Sequence, residues 1–344
     1  MSEIKPIADN EGRTMLADAL PLVTPFSLYI VPTVRCNFRC NYCAQSLDRD
    51  VLAKKYPHMV SDKGFMTMEL FRKVLAQAKS FPSRFKMVSI FGQGEPLLHP
   101  DLPEMVAEVR DAGIAERIEF ITNGSLLTPD LSRHLIDAGL TNIRVSLQGL
   151  NSRKYREVCG VELDFEKFKE NIAYYYAYGR EKNARIFVKI MDVALEENEE
   201  KMFYSLFDSI SDRMYIERVK PVYDGIKYEE ALNNITMDRY GVLHTPRKVC
   251  PLPFYMLNVW PDGDVSPCDA IYKPYILGNC NNTTLLEMWR SDGFRSFLAQ
   301  NLRCGKNSIP ICTPCCAPDD VSHPADVLDD DAKRILPIFD VNFR

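Results

Sequence analysis

The sequence predicts an α/β fold of successive strand–helix units, followed by a small cysteine-rich region. Three observations predict it. Short apolar strand-like runs alternate with amphipathic helical stretches through the first two-thirds of the chain. At 344 residues the chain exceeds the size at which a single core stops growing. Seven of its eleven cysteines crowd into the final hundred residues, which sets that part apart.

The first fourteen residues, 1-MSEIKPIADNEGRT-14, are polar and mixed in charge, unlike a secretory signal. Residues 1–23 read as an N-terminal extension. Strands are expected at 26-FSLYIV-31, 86-KMVSIFG-92, 117-RIEFIT-122, 142-NIRVSL-147, 185-RIFVKIM-191 and 214-MYIERV-219. Between them, 67-TMELFRKVLAQAKSF-81 has Thr67 as N-cap and Leu70, Phe71, Val74 and Leu75 at helical spacing. In 164-DFEKFKENIAYYYAYGR-180, Phe165, Phe168 and Ile172 form one face. Six such units over 24–235 make either a full or partial barrel or an open doubly wound sheet. Periodicity does not separate these, and both place ligands at the C-terminal ends of strands. Over 245–320 the pattern changes to a hairpin, 254-FYMLNVWPDGDVSPC-268, then short helices near 284–291 and 293–301 and a cysteine cluster. The 321–344 tail, acidic at 329-DDD-331, is expected to pack across the surface.

A formal net charge of −5 gives no electrostatic case for nucleic acid. The most apolar early stretch, 15–34, carries Asp18, Pro21, Pro25 and Pro32, so no membrane span is expected. Cytoplasm is the default location, and there cysteines more often bind metal or react than form disulfides.

Directly after the first strand, 35-RCNFRCNYCAQ-45 places Cys36, Cys40 and Cys43 in C-x3-C-x2-C spacing. A closed zinc site wants four ligands, and no second C-x-x-C lies in this domain. Three cysteines on a cubane cluster leave one iron open to a chelating ligand. At these residues the chain resembles the radical S-adenosylmethionine (radical SAM) superfamily, with Tyr42 in the aromatic slot of its cysteine motif. The resemblance implies a partial (β/α)6 TIM-like barrel and a 4Fe–4S cluster that binds SAM. It also implies reductive cleavage to a 5′-deoxyadenosyl radical that takes a hydrogen atom from substrate.

The segment 91-FGQGEP-96 resembles the family's glycine-rich motif, which assigns Gly92, Gly94 and Glu95 to the SAM ammonium. Strand ends 122-TNGS-125 and 144-RVSLQG-149 are similar to those contacting the SAM ribose and carboxylate, which implicates Asn123, Ser146 and Gln148. Lys189 is a further partner for the carboxylate.

Cys250, Cys268 in 263-GDVSPC-268, and Cys312 and Cys315 in 312-CTPCC-316 resemble the auxiliary-cluster region of the SPASM/twitch subgroup. No cysteine follows Cys316, so the second auxiliary cluster of a full SPASM domain is expected to be absent, and the shorter twitch form with one 4Fe–4S cluster fits better. Zinc is the rival occupant, and Cys304 or Cys316 are rivals for one ligand position.

Resembling twitch enzymes include dehydrogenases of cyclitols and aminoglycoside sugars, in which the auxiliary cluster accepts an electron. The expectation is therefore oxidation of a carbinol carbon in a carbohydrate-like small molecule, with a flavodoxin- or ferredoxin-type donor. Asp192, Glu217 and Lys189 are the candidate bases. Two alternatives stand beside it. One is an epimerase, with Cys159 as hydrogen donor. The other is a peptide-modifying enzyme; such enzymes often carry a recognition domain, for which about 25 residues ahead of the first strand leave no room.

Overall fold

The structure, a computed structural model, describes residues 2–5, 13–220, 237–243, 245–273, 275–320 and 323–340. In chain order the first part runs β1 (Glu3–Ile4), α1 (Leu16–Ala19), β2 (Ser27–Ile30), α2 (Arg49–Lys55), α3 (Met68–Ala78), β3 (Met87–Ser89) and α4 (Leu102–Ala112). It continues with β4 (Ile118–Thr122), α5 (Pro129–Asp137), β5 (Asn142–Leu147), α6 (Ser152–Cys159), α7 (Phe165–Arg180), β6 (Arg185–Met191), α8 (Glu199–Phe207) and β7 (Arg213–Glu217). The second part comprises β8 (Met256–Val259), β9 (Asp264–Ser266), β10 (Gly278–Asn279), α9 (Leu285–Arg290), α10 (Asp292–Cys304), α11 (Ala317–Asp320) and α12 (Ala332–Phe339).

Among the described residues, ten strands form one sheet in the order β1-β7-β6-β5-β4-β3-β2-β8-β9-β10. The run from β1 to β8 is parallel throughout, and β8, β9 and β10 are antiparallel. The six expected strands therefore form a partial α/β barrel. Alternation along β5 and β6 separates two faces. Ile143, Val145, Leu147, Ile186, Val188 and Ile190 are fully buried in the main core. Arg144, Ser146, Phe187 and Lys189 turn toward cavities inside the barrel. Helix starts follow their caps: Thr67 Oγ1 accepts from Leu70 N–H at 3.2 Å, and Asp164 Oδ1 from Lys167 N–H at 3.0 Å.

Three boundaries drawn from the sequence change. Two parts of the expected N-terminal extension join the fold: β1 adds a strand beside β7, and Leu16 of α1 is fully buried in the main core. The tail is no surface passenger either, because Leu328, Ile335 and Phe339 are buried in that same core. Its amphipathic spacing outweighed the acidic run just before it. The cysteine-rich part is continuous with the barrel, since β8 pairs in parallel with β2 along Ser27–Ile30. The expected end of the barrel at 235 lies outside the described residues. Among the described residues no helix is long and apolar enough to cross a membrane.

The segment carrying α2 packs through Leu52, Tyr56 and Met59 onto Val31, Val34, Trp260 and Ile271, joining the cysteine loop to the hairpin. His58 sits at this seam, edge-on to the Trp260 ring at 4.9 Å, with Lys273 Nζ 5.0 Å from that ring. Burial, then Lys273, push the imidazole down to about 4 from 6.5, against the pull of Asp262 and Asp264. Between those values the unfolded chain binds the extra proton. Stability from this group is thus full above pH 6.5 and is lost as pH falls toward 4, by about 3 kcal/mol in total. Lowering pH from about 7 to about 5.5 should reduce the denaturation midpoint of the wild type more than that of His58→Gln. Parallel profiles would rule out a neutral, buried His58.

Candidate active site

The loop after β2 carries the cysteine triad. Phe38 anchors it, 2% exposed, with its ring edge-on to Tyr155 at 6.1 Å. Its backbone is held from below by the end of α6: Arg39 N–H donates to the Cys159 carbonyl at 3.1 Å and Asn41 N–H to that of Val158 at 2.9 Å. Cys36, Cys40 and Cys43 are half-buried and line one cleft of about 1310 Å³, its open mouth included.

All eight residues assigned to SAM line that same cleft: Tyr42, Gly92, Gly94, Glu95, Asn123, Ser146, Gln148 and Lys189. Several do so as braces of the loop. The Tyr42 hydroxyl donates to Gln148 Oε1, tying the triad to the end of β5. The Asn123 amide donates to Asn37 Oδ1 at 2.8 Å, tying it to the end of β4. Glu95, 2% exposed, uses both oxygens internally: Oε1 accepts from Thr122 Oγ1 at 2.5 Å and Leu97 N–H at 3.0 Å, and Oε2 from Asn123 N–H at 2.7 Å. Burial pushes this carboxyl up to about 7 against those donors. Glu95 therefore shapes the 122–124 turn while lining the cleft.

Gly94 has a local reason beside ligand approach. A Cβ there would stand 2.5 Å from the Thr33 carbonyl oxygen and closer still to that of Arg35, both backbone atoms that cannot swing away. Gly94→Ala should cost about 1–3 kcal/mol, by the usual penalty of overpacking, and lower iron retention after reconstitution. Wild-type melting and iron content in that variant would contradict the packing argument.

The candidate bases fare differently. Lys189 Nζ and Glu217 Oε2 form a buried ion pair at 2.6 Å, with an Arg239 guanidinium nitrogen 3.9 Å from the other carboxylate oxygen. Burial alone would push Glu217 up, but Lys189 and Arg239 outweigh it and hold the carboxyl below its usual range. A carboxylate facing two cations is a poor proton acceptor, and Glu217 does not line the cleft. Asp192 does not line it either: its Oδ1 accepts the backbone N–H groups of Val193 at 2.8 Å and Val219 at 2.9 Å. Cys159 is fully buried at the end of α6, its thiol donating to the Tyr155 carbonyl at 2.9 Å and lying beside the Cys40 thiol, behind the cleft lining. All three are held by local hydrogen bonding or pairing and lie outside the cleft lining.

The structure adds Asp269 and Arg239, which line the cleft and were missed, and brings Cys316, weighed only as an auxiliary ligand, to the same cleft. Asp269 directly follows Cys268, and that adjacency was a usable signal. Burial pushes its carboxyl above the usual range, against its own backbone N–H and the field of Arg239. Arg239 follows the residues outside the description and carried no motif. Cys316 stands beside an expected ligand but faces the cleft instead.

Cys250, Cys268, Cys312 and Cys315 line a second cavity of about 510 Å³ whose other walls are largely apolar. Asn301, 1% exposed, clamps the first of them, accepting from Cys250 N–H at 3.1 Å and donating to its carbonyl at 2.8 Å. Lys306 Nζ donates to the Cys315 carbonyl at 2.9 Å. Cys304 is exposed and lines neither cavity, and Cys280 is buried in the main core. Among the described residues, no three His, Cys, Asp or Glu side chains group closely enough for a single metal ion. Four thiols around one apolar cavity suit a multinuclear iron–sulfur cluster, whose sulfide bridges spread the ligands apart. Cys315, Ala270, Tyr272 and Ala317 line both cavities, so one layer of residues separates them.

Residues 30–207 match the profile of the Radical SAM superfamily. The chain belongs to that superfamily. Residues 250–318 match the SPASM iron–sulfur cluster-binding domain. A SAM-binding 4Fe–4S cluster, SAM itself and auxiliary iron–sulfur chemistry are the cofactors that these matches imply. The chain is similar to the tungsten-containing aldehyde ferredoxin oxidoreductase cofactor-modifying protein of Pyrococcus furiosus, 26% identical over 334 aligned residues covering 84% of this chain and 86% of that one. Two solved structures share the fold. BtrN in complex with AdoMet and 2-DOIA has a TM-score of 0.52 at 18% identity, over 84% of this chain and 92% of that one. SuiB of Streptococcus suis bound to precursor peptide SuiA has 0.59 at 18%, over 81% and 67%.

Proposed function

We infer that this radical SAM enzyme oxidises a carbinol carbon of a carbohydrate-like small molecule, a sugar, cyclitol or nucleotide-sugar. The observation that carries the reading is Asp269, a cleft-lining carboxylate placed directly after Cys268 of the second thiol set. Turning an alcohol into a ketone removes one hydrogen atom from carbon, one proton from the hydroxyl and one electron from the resulting radical, so a base and an electron acceptor must both be near the radical carbon. When bound, the triad's cluster with SAM supplies hydrogen-atom abstraction, and a cluster on Cys250, Cys268, Cys312 and Cys315 supplies an electron acceptor. Asp269 takes the hydroxyl proton. Lys189 and Arg239, partly neutralised by Glu217, present positive charge to the carboxylate of SAM or to an anionic substrate group. The brace residues Tyr42, Asn123 and Glu95 hold the triad loop against the strand ends and need not touch the reacting atoms.

The test is 5′-deoxyadenosine release from SAM, under reducing anaerobic conditions, with separate sugar-nucleotide, cyclitol and peptide pools. The Pyrococcus relative's name adds the cofactor of a tungsten-containing aldehyde ferredoxin oxidoreductase as a fourth pool. Stimulation by carbohydrate with ketone formation is the expected result. Deuterium uptake from heavy water into an otherwise unchanged product would support epimerisation instead, with Cys316 in place of Cys159 as the thiol on the cleft. Stimulation by peptides alone would overturn the substrate class.

A further inference from the structure

Inside the barrel lies a second space of about 1650 Å³, its open mouth included, and Phe91 and Ile121 line both it and the cleft. On β5, Arg144 lines this lower cavity and Ser146 the cleft, one inner-face step of about 7 Å apart. The lower cavity is rich in hydrogen-bond donors that the protein leaves open. Arg13 and Arg213 are taken, by Asp326 at 2.6 Å and Glu3 at 3.0 Å. Arg117 and Arg144 share one buried carboxylate, Glu119, at 2.8 Å and 3.0 Å, so two cations meet one anion. Arg144 Nε is buried without an acceptor, and the exposed Arg185 guanidinium has no partner among the described residues. With Glu116 counted as well, one positive charge on this lining stays uncompensated. Tyr215, 3% exposed, lines the cavity. Neither its hydroxyl nor those of Tyr29, Tyr240 and Tyr255 on the same lining has a hydrogen-bond partner among the described residues, although a buried phenol ordinarily finds one.

We propose that this lower cavity binds the diphosphate of a nucleotide-sugar, whose sugar ring then stands above it in the cleft. The inference rests on the reading that a carbohydrate carbinol is oxidised, and it narrows that substrate to its nucleotide-linked form. Phosphate oxygens accept hydrogen bonds and carry negative charge, which is what the open guanidinium and phenol donors lack. A neutral sugar or cyclitol brings hydroxyl donors as well as acceptors and leaves the arginine charge unmet. The step from Arg144 to Ser146 is on the scale of one sugar ring, so a diphosphate held at Arg144 and Arg185 sets its ring against the cleft. The tyrosine rings of the same lining supply a stacking surface for the nucleobase. Lys189 and Arg239, on the cleft, are then left to the carboxylate of SAM.

The test is titration calorimetry of the reconstituted enzyme, with SAM present, against inorganic pyrophosphate, glucose 1-phosphate, and the diphosphates ADP, CDP, GDP, UDP and dTDP. Pyrophosphate should bind, at least one nucleoside diphosphate should bind more tightly, and glucose 1-phosphate should bind more weakly. Pyrophosphate affinity should fall between about 50 mM and about 300 mM salt as screening grows. Arg185→Gln breaks no side-chain contact among the described residues. It should weaken pyrophosphate and the best nucleoside diphosphate by about tenfold or more, the worth of a hydrogen bond to a charged group. Arg185→Lys should recover most of that loss. Tyr215→Phe removes only a hydroxyl and should weaken both ligands by about three- to tenfold. Iron content and melting midpoint should match wild type in all three variants. Should Arg185→Gln lose iron, Tyr215→Phe decides on the same affinity criterion. Absence of pyrophosphate binding, or unchanged affinity in either intact variant, would overturn the site. Glucose 1-phosphate binding as tightly as the best nucleoside diphosphate would overturn the nucleotide assignment. None of these readouts needs turnover, so a failure to oxidise carbohydrate leaves them in place. Conversely, ketone formation from a cyclitol by an enzyme that binds no pyrophosphate would overturn this inference alone.

Discussion

Replacing Cys36, Cys40 and Cys43 together with alanine is expected to abolish 5′-deoxyadenosine release and to halve the bound iron, from roughly eight atoms to roughly four. The physical basis is the separation of the two thiol sets. The triad lines the cleft alone, and the other four cysteines meet around the second cavity, with Cys315 also reaching the cleft. Losing the first site removes the sulfur ligands of one cluster and leaves Cys250, Cys268, Cys312 and Cys315 in place. The loop itself should persist, because Phe38 packing and the backbone bonds to Cys159 and Val158 do not use the thiols. Iron analysis with quantification of 5′-deoxyadenosine checks both halves. Four irons in the wild type would remove the auxiliary centre from the account, and retained cleavage in the variant would remove the triad.

Asp269→Asn should separate two activities that the other substitutions lose together. The amide nearly preserves size and shape, so cleavage of SAM should stay within a few-fold of wild type. Product formation should fall by about 10²–10⁴-fold, the usual worth of a positioned general base. Asp192→Asn and Glu217→Gln provide the contrast. Asp192 caps backbone N–H groups, and Glu217 neutralises Lys189 and Arg239, so their loss acts on stability. For Glu217→Gln the expected cost is about 3–5 kcal/mol, since it leaves buried positive charge without its partner. Product formation unaffected in Asp269→Asn would end its assignment as the base. A collapse of SAM cleavage in that variant would make it a structural brace of the cleft.

Much of the fold was legible because it rests on local rules. Each of the six expected barrel strands is present, and α3 and α7 begin where Thr67 and Asp164 offer cap oxygens. What failed were judgments about pairing. The dipeptide at β1 is too short to signal a strand, and it becomes one only because β7 presents an open edge. The acidic run before α12 masked a helix whose Ile335 and Phe339 complete the core.

Within the site, spacing alone determined that Cys36, Cys40 and Cys43 would share one short loop, since seven residues of chain cannot take them far apart. The glycines of 91-FGQGEP-96 and the polar ends of β4 and β5 were likewise placed by their position just after strands. Tertiary structure decided what the ionisable side chains do. Glu95, Lys189, Glu217 and Asp192 all looked available in the sequence, and each is occupied by a neighbour distant along the chain. A charge buried at a strand end must find a partner, and which partner depends on register between strands. Asp269 reaches the cleft for the same kind of reason. The parallel pairing of β8 with β2 brings the hairpin, and with it Cys268 and Asp269, to the mouth of the barrel.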